Sequence, residues 1–482
     1  MQRKFVTNLA LVLTLNLLIK PFWILGIDRM VQNAVDVKAY GFYYALFNFS
    51  FLFNILLDFG ITNFNNKNIS QHNHLLNKHL SSILALRMML AVVFLVITMT
   101  AGLVIGYTAD MLKMLVVLVF NQALISFILY LRSNLSGLHL FKTDSVISVV
   151  DRLIMIVICG FLLLGHTDNH TFDIRWFVYA QTAAYLITAL LTLVIVMDKA
   201  QLKKLTWKFS FFLVILKNSY PYAVLVLLMT FYNRIDTVML ERMLSDGAEQ
   251  VGIYASAYRV LDAANMIAFL FAGLLLPMFA RMIKLQQSVE KLVHLAFCLL
   301  VIPAFIVAIT SFFYKHDFMQ LLYSKTTHID ESAGVFGILM FCFIPISSTY
   351  IFGTLLTANG NLKQLNLMAG TGMLINIVLN LFMIPVFKAH GSALVSLATQ
   401  SLMAFAQILY VKYIFKFKIN YKFIASVILL LILTVLFCWL TVQIMANWVV
   451  GLVLAAGAAF MMAFLLKIIS IKNLINILKY DT

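Results

Sequence analysis

Residues 231–262 carry four ionisable side chains within two otherwise apolar stretches near the middle of the chain. Arg234 and Asp236 lie in the first stretch, and Arg259 and Asp262 lie in the second. A charge inside hydrocarbon costs about 2.5 kcal/mol or more, so its presence there indicates a function. Arg259 and Asp262 are i and i+3 on one helix face, where a cation and an anion can pair. These residues are expected to form either a clamp between two helices or part of a charged binding site.

The composition indicates a membrane protein. The chain has 482 residues, of which 63% are hydrophobic and 11% are charged, and its mean hydropathy is +0.97. Soluble domains carry about 25% charged residues. We therefore expect an all-α polytopic membrane protein. The apolar runs are separated by short polar breaks, which leave no room for a soluble catalytic domain, so no catalytic residues are expected.

Apolar runs long enough to cross a bilayer recur along the chain, since a span needs about 20 mostly apolar residues. Their periodicity and the polar residues between them predict where each span begins and ends. Fourteen spans are predicted, at residues 5–27, 40–62, 79–107, 111–131, 143–165, 174–197, 210–240, 250–280, 289–314, 332–357, 363–385, 390–411, 423–445 and 447–467.

Short motifs of the first half of the chain return in the second half in the same order. Gly41-Phe42-Tyr43 enters span two as Gly252-Ile253-Tyr254 enters span eight. Two weaker pairs follow, Leu135-Ser136-Gly137 with Ala358-Asn359-Gly360 and Ala180-Gln181 with Thr399-Gln400. Transporters built from repeats bind their substrates at the interface between the halves. The sequence predicts two six-helix lobes and two appended helices, at residues 1–208, 209–415 and 416–482.

The net charge of +16 is explained by membrane topology. The loops on one side of the predicted spans carry an excess of Lys and Arg, and those on the other side are close to neutral or acidic. Basic loops of membrane proteins face the cytoplasm. Both termini are therefore expected to be cytoplasmic, and the lipid bilayer rather than nucleic acid is the expected partner of the basic residues.

Ionisable residues inside the predicted spans are confined to the first eight. They are Lys20, Asp58, Arg87, Asp151, Arg152, Lys217, Arg234, Asp236, Arg259 and Asp262. Estimated from the span ends, the bases occur at two depths, as they would along a path through the membrane. Asp151 and Arg152 are neighbours that face different directions, so they are not expected to pair. Since Lys20, Arg87 and Lys217 also have no evident partner, we expect them to line a lumen; packing or snorkelling to the interface is the alternative.

The cysteines and histidines indicate no metal site, and no cofactor is expected. The four cysteines each lie alone in an apolar run, without metal-ligand or disulfide spacing. His72, His74 and His79 share a loop but have no Cys or carboxylate partner at ligand spacing, so they are expected to be solvated.

Three stretches carry a family resemblance. They are Leu57-Asp58-Phe59-Gly60-Ile61-Thr62, Asn233-Arg234-Ile235-Asp236 and Gly252-Ile253-Tyr254-Ala255-Ser256-Ala257-Tyr258-Arg259. With the predicted topology, they resemble the polysaccharide flippases of the multidrug/oligosaccharidyl-lipid/polysaccharide exporter superfamily. The resemblance covers essentially the whole chain.

The resemblance implies a flippase that moves undecaprenyl-diphosphate-linked repeat units of O antigen, capsule or a similar glycan across the bacterial cytoplasmic membrane. Alternating access of the two lobes and partners such as a glycan polymerase are then expected. The residues suit a diphosphate, because Arg binds phosphate oxygens in bidentate fashion. The candidate binding residues are Lys20, Arg87, Arg152, Lys217, Arg234 and Arg259. Candidate sugar-contacting residues are Asn16, Tyr43, Asn48, Asn54, Gln122, Tyr220, Tyr232, Asn376 and Asn380.

Several alternatives stay open on the sequence. Asp58, Asp151, Asp236 and Asp262 serve either ion coupling or charge balance. A lipid II flippase is hardly separable from the main hypothesis, and a multidrug or metabolite antiporter is the next alternative. Six bases against four acids in the spans disfavour a pocket for cationic drugs. A membrane enzyme of polysaccharide assembly is less expected, because its chemistry needs a substantial outer loop and the longest here, 315–331, is short.

Overall fold

The computed structural model describes residues 14–16, 18–62, 65, 69, 75–138, 140–164, 172–200, 209–324, 328–417 and 420–468. Within these ranges the chain is built from helices joined by short turns, without strands. His72 and His74 lie outside the described residues, as does the side chain of His79. The Cα positions group the chain into two compact units, Met1–Gly252 and Ile253–Thr482, which we call the first and second units.

The first unit starts with a π-helical turn and contains helices of increasing length. Its elements are the π-helical turn Trp23–Asp28, α1 (Arg29–Ala34), α2 (Val37–Leu52), a 3-10 turn at Asn54–Leu57, α3 (Leu75–Ile105), α4 (Ala109–Gly137), α5 (Phe141–Leu164), α6 (Ile174–Lys199), α7 (Phe209–Met243) and the first residues of α8 (Gly247–Lys284).

The second unit contains the rest of α8 and six further helices. They are α9 (Glu290–Phe313), α10 (Lys315–Leu322), α11 (Ile329–Ala358), α12 (Leu362–Phe415), α13 (Tyr421–Ile444) and α14 (Trp448–Leu465). A face of small residues on α14 lets neighbouring helices approach closely, as is usual between spans. Ala455, Ala459 and Ala463 are four residues apart and each is fully buried.

The all-α membrane fold predicted from the sequence is confirmed. Among the described residues, 11 helices are long and apolar enough to cross a membrane. The predicted spans agree with them in order, and their ends differ by a few residues. Predicted spans eleven and twelve are joined in α12, which breaks at Lys388 (φ 50°, ψ −131°). The loop predicted at 315–331 contains the short helix α10, whose Met319 and Leu322 are buried.

Predicted span two is not one continuous helix to residue 62. Helix α2 ends at Leu52, and after the 3-10 turn the backbone enters the left-handed region at Phe59 (φ 43°) and Gly60 (φ 79°). The carboxylate of Asp58 accepts the backbone N–H groups of Gly60 at 3.1 Å and Thr62 at 3.1 Å. Asp side chains that bond to nearby backbone amides compete with the helix in this way.

Helix α7 packs against α2 within the first unit. Phe231 contacts Phe53 edge to face, with ring centres 6.3 Å apart. The guanidinium of Arg234 lies 5.8 Å from the ring centre of Phe51. The sequence boundaries at residues 208 and 415 describe a repeat rather than compact units, and the repeat stays a prediction.

The repeated glycines Gly41 and Gly252 lie at a close helix crossing between α2 and the start of α8. A Cβ on Gly41 would overlap the carbonyl oxygen of Ala248 and lie 2.6 Å from the amide nitrogen of Gly252. A Cβ on Gly252 would in turn overlap the carbonyl oxygen of Val37. Glycine is therefore required here for backbone approach, in the manner of small-residue contacts between spans.

The variant Gly41→Ala is expected to be destabilised, because the added methyl group meets backbone atoms that cannot move without shifting a helix. Overpacking of this kind costs about 1–3 kcal/mol. Gly160→Ala is the matched control, since a Cβ on Gly160 in α5 meets nothing within 4 Å. Alanine there is expected to be neutral or stabilising by about 0.5–1 kcal/mol. Thermal unfolding in detergent measures both, and equal melting temperatures would contradict the close crossing.

Candidate functional site

Arg152 on α5 lies between two aromatic side chains of the first unit. Its Nη1 donates to the hydroxyl oxygen of Tyr185 at 3.1 Å. Its guanidinium carbon is 5.7 Å from the ring centre of Trp23 and 5.8 Å from that of Tyr185. Cations attract the electron-rich faces of aromatic rings at these distances. The two rings and the hydrogen bond restrain the planar group, which remains about a quarter exposed, at 26%.

Lys20 and Asp151 complete a charged cluster with Arg152. The Arg152 Nε lies 3.7 Å from Asp151 Oδ2, so the prediction that these neighbours do not pair is wrong. The long Arg side chain bends back along the helix to the adjacent carboxylate. The Lys20 ammonium interacts electrostatically with Arg152, Arg132 and Asp151. Arg132 has its own carboxylate, Asp144, at 2.7 Å, so two cations of the cluster share Asp151.

Polar and aromatic side chains surround this charged cluster. Asn16 donates through Nδ2 to the hydroxyl of Ser148 at 3.1 Å. Trp23 stacks on Phe177, with ring centres 5.8 Å apart. Such a mixture of flat rings, hydroxyls and amides matches the chemistry of sugar binding. Three elements supply it, because the π-helical turn, α5 and α6 pack together in the first unit.

Arg87 and Asp58 form a second charged group in the first unit. Arg87 is 5% exposed and makes an ion pair with Asp58. Its Nη1 donates to the backbone oxygen and to the hydroxyl of Ser126, both at 2.8 Å, and its Nη2 donates to Thr62 Oγ1 at 2.7 Å. The Tyr130 ring lies 4.8 Å away. The expectation that Arg87 has no evident partner is therefore wrong, and the pair favours charge balance as the role of Asp58.

A cavity of about 430 Å³ lies beside Arg87, between α3, α4 and α6. Its walls are apolar except at Arg87 and Ser126, and include Met88, Ala91 and Leu193. The volume falls within the range of small-molecule sites, about 300–1,000 Å³. A hydrocarbon chain fits such walls, whereas a sugar does not, because its hydroxyl groups would lack hydrogen-bond partners.

The charges that first indicated a function divide between the two units. In the first unit, Arg234 Nη1 donates to the Tyr44 hydroxyl at 3.4 Å, and Asp236 is buried, at 1% exposure. In the second unit, Arg259 Nη1 lies 3.9 Å from Asp262 Oδ2, as predicted from their i,i+3 spacing. The binding and coupling roles of these four residues stay predictions.

The remaining candidates differ in exposure. Lys217 lies exposed on α7, and its lumen-lining role stays a prediction. Asn48, Asn376 and Asn380 are fully buried, at 0% exposure. Asn380 donates to the Asn376 side chain at 3.1 Å and accepts from Ser392 at 3.1 Å. A sugar-contacting role is therefore wrong for these three residues in this conformation, because neighbouring groups hold them inside the protein.

Three residues near the charged cluster were not found from the sequence. Asp28 was assigned to a loop, yet it is 1% exposed and the Tyr40 hydroxyl lies 3.1 and 3.0 Å from its two carboxylate oxygens. Trp23 and Tyr185 look like ordinary residues of apolar segments. The one available signal was helical spacing, since residues 23–34 continue helically past the predicted end of span one.

The arrangement can bind and orient an anion. Lys and Arg supply donors for phosphate oxygens, and a low-dielectric setting strengthens the attraction. In the described ranges no group of three or more His, Cys, Asp or Glu residues is placed to hold a metal ion. The four cysteines are buried and form no disulfide.

A family model for polysaccharide biosynthesis proteins matches residues 6–283, which is more than half of the chain. The chain belongs to this family. The resemblance drawn from the sequence is thereby confirmed. No curated protein sequence matches the chain significantly.

Solved structures similar to this family member are flippases and transporters. The lipid II flippase MurJ in an inward closed conformation has a TM-score of 0.72 and 12% identity, covering 92% of this chain and 96% of that one. An inward-facing multidrug resistance MATE family transporter of the MOP superfamily has a TM-score of 0.60 and 11% identity, covering 85% and 98%. An outward-facing one has 0.60 and 13%, covering 85% and 95%. The polysaccharide biosynthesis protein therefore has the fold of these multi-pass transporters.

Proposed function

We propose that this protein flips undecaprenyl-diphosphate-linked oligosaccharide repeat units across the bacterial cytoplasmic membrane for surface polysaccharide assembly. The observation that carries the proposal is the charged cluster of Lys20, Asp151 and Arg152 between Trp23 and Tyr185. Two cations share one carboxylate there, so the cluster has an excess positive charge. Such a charge inside apolar spans is unfavourable until an anion binds.

A diphosphate matches this cluster better than a single carboxylate does. Its adjacent phosphoryl groups offer several acceptor oxygens, which the Arg152 fork and the Lys20 ammonium can share. The aromatic rings that restrain Arg152 reduce the entropy lost when it binds. The first sugars can contact Asn16, Ser148 and the ring of Trp23.

The hydrocarbon tail needs no polar path. It can stay in the bilayer while the head group crosses, and the apolar cavity beside Arg87 offers a place for part of the chain. Alternating access is the proposed movement, supported by similar MATE transporters in inward-facing and outward-facing conformations. The basic loops support cytoplasmic termini. A polymerase that receives the flipped units is the proposed partner.

A lipid II flippase is the second candidate function. The similarity to MurJ, with a TM-score of 0.72, favours it. Lipid II presents the same undecaprenyl diphosphate group, so the cluster suits both. The two differ in the attached sugar and peptide, and the family match to polysaccharide biosynthesis proteins supports the first.

Deletion of the gene is expected to deplete one surface polysaccharide and to leave its undecaprenyl-linked repeat unit inside the cell. Mass spectrometry of extracted lipid-linked intermediates and gel analysis of surface glycan measure the two effects. A plasmid copy of the gene is the control and restores both. Accumulation of lipid II, with arrested growth and unchanged surface polysaccharide, would instead support the second candidate.

A further inference from the structure

A second, smaller cavity lies at the other end of the first unit's helices, where α4 and α6 begin. It has a volume of about 250 Å³. One part of its lining is apolar and includes Phe42, Met114 and Val178, and the other part is charged. The lining is thus amphipathic, unlike that of the cavity beside Arg87.

The charged part consists of Asp110, Lys113 and Arg175. The Lys113 ammonium is 3.1 Å from Asp110 Oδ1, and both side chains are largely exposed. The backbone N–H of Arg175 donates to the carboxylate of Asp173 at 2.9 Å. Among the described residues, which do not include 165–171, the Arg175 guanidinium has no ion-pair or hydrogen-bond partner. The three side chains carry one positive charge in excess.

The position of the cavity is marked by exposed aromatic residues on the same helix end. Trp176 and Tyr179 follow Arg175 on α6 and are 53% and 54% exposed. Exposed Trp and Tyr at the end of a span are typical of the membrane–water interface, where lipid head groups lie. The apolar lining then faces the start of the acyl chains, and the charged lining faces the phosphates.

We propose that this pocket binds the phosphate and upper acyl region of a membrane glycerophospholipid. Arg175 and Lys113 contact the phosphate oxygens, and Phe42, Met114 and Val178 pack against the chains. Asp110 can accept a hydrogen bond from an ammonium or hydroxyl head group. The site is separate from the charged cluster around Arg152, so it does not depend on the proposed substrate.

The test uses the purified full-length protein and a phospholipid that carries a photoactivatable group beside its phosphate. Peptide mass spectrometry is expected to find crosslinks at the start of α4 and of α6. Arg175→Gln is expected to lower their yield about fivefold, because one interfacial cation contributes on the order of 1 kcal/mol. Lys199→Gln, which removes an exposed cation at the opposite end of α6, is the control and should leave the yield unchanged.

Further arms separate the pocket from simple surface charge. Met114→Trp fills the cavity without removing a cation and should also lower the crosslink yield. A diacylglycerol probe, which lacks the phosphate, should crosslink weakly, and excess inorganic phosphate should compete poorly. Unchanged yields in Arg175→Gln or Met114→Trp, equal labelling by diacylglycerol, or full displacement by inorganic phosphate would each overturn the proposal.

Discussion

Replacing Arg152 with alanine is expected to abolish polysaccharide export in a strain that lacks the native gene, although the protein still inserts in the membrane. The change removes the guanidinium held by Trp23 and Tyr185 and leaves Lys20 as the nearby cation. Hydrogen bonds to charged groups contribute about 1.5–3 kcal/mol each, so loss of two phosphate contacts lowers substrate affinity by roughly a hundredfold or more. Surface glycan on gels measures export, and immunoblotting of membranes measures insertion.

Two further variants define what this result means. Arg152→Lys keeps the charge but loses the planar fork, so it is expected to export weakly but measurably. Arg132→Ala removes a cation of the same region that already has Asp144 as its carboxylate, and it should export far better than Arg152→Ala. Normal export by Arg152→Ala, at wild-type protein level, would show that the cluster does not bind the head group.

The variant Asp58→Asn is expected to lower the stability of the protein more than any other single charge change discussed here. Asparagine can still accept the backbone N–H groups of Gly60 and Thr62, so the change chiefly removes the charge that balances Arg87. Arg87 is 5% exposed. Breaking a buried pair from one side costs about 3–5 kcal/mol, because the remaining charge is uncompensated. Thermal unfolding in detergent should show a melting temperature several degrees lower.

The double variant Asp58→Asn, Arg87→Gln tests the reason for this loss. With both charges removed, most of the lost stability should return, because no unpaired charge remains. Asp198→Asn breaks an exposed pair with Lys199 and is the surface control, with no measurable change expected. If Asp58→Asn melts as the wild type does, or the double variant is less stable than both single variants, charge balance is not the role of the pair.

Much of the fold was predictable because membrane-spanning helices leave a strong signal in the sequence. Long apolar runs must become helices in hydrocarbon, where each backbone polar group needs an internal partner. The predicted spans therefore match α3 to α9 closely in order and extent. The end of span two was predicted less well, because Asp58 bonds to the backbone beyond α2 and favours a turn over a helix.

The candidate site was predictable in its residue types but not in its partners. Local spacing was sufficient for Arg259 with Asp262, which share one helix face. The same reasoning was wrong for Asp151 and Arg152, since it considered the directions of the backbone bonds and neglected the reach of the Arg side chain.

The sequence by itself determined that this protein is a multi-pass helical membrane protein with a localised set of embedded charges. Hydrophobicity and charge are properties of single residues, so they can be read without coordinates. The tertiary structure alone decided which charges are balanced and which share a carboxylate. Arg87 is 29 residues from Asp58, and Arg152 reaches Tyr185 on another helix, 33 residues away. Helix packing sets such contacts, and it places the excess positive charge beside Trp23 rather than at the stretch 231–262.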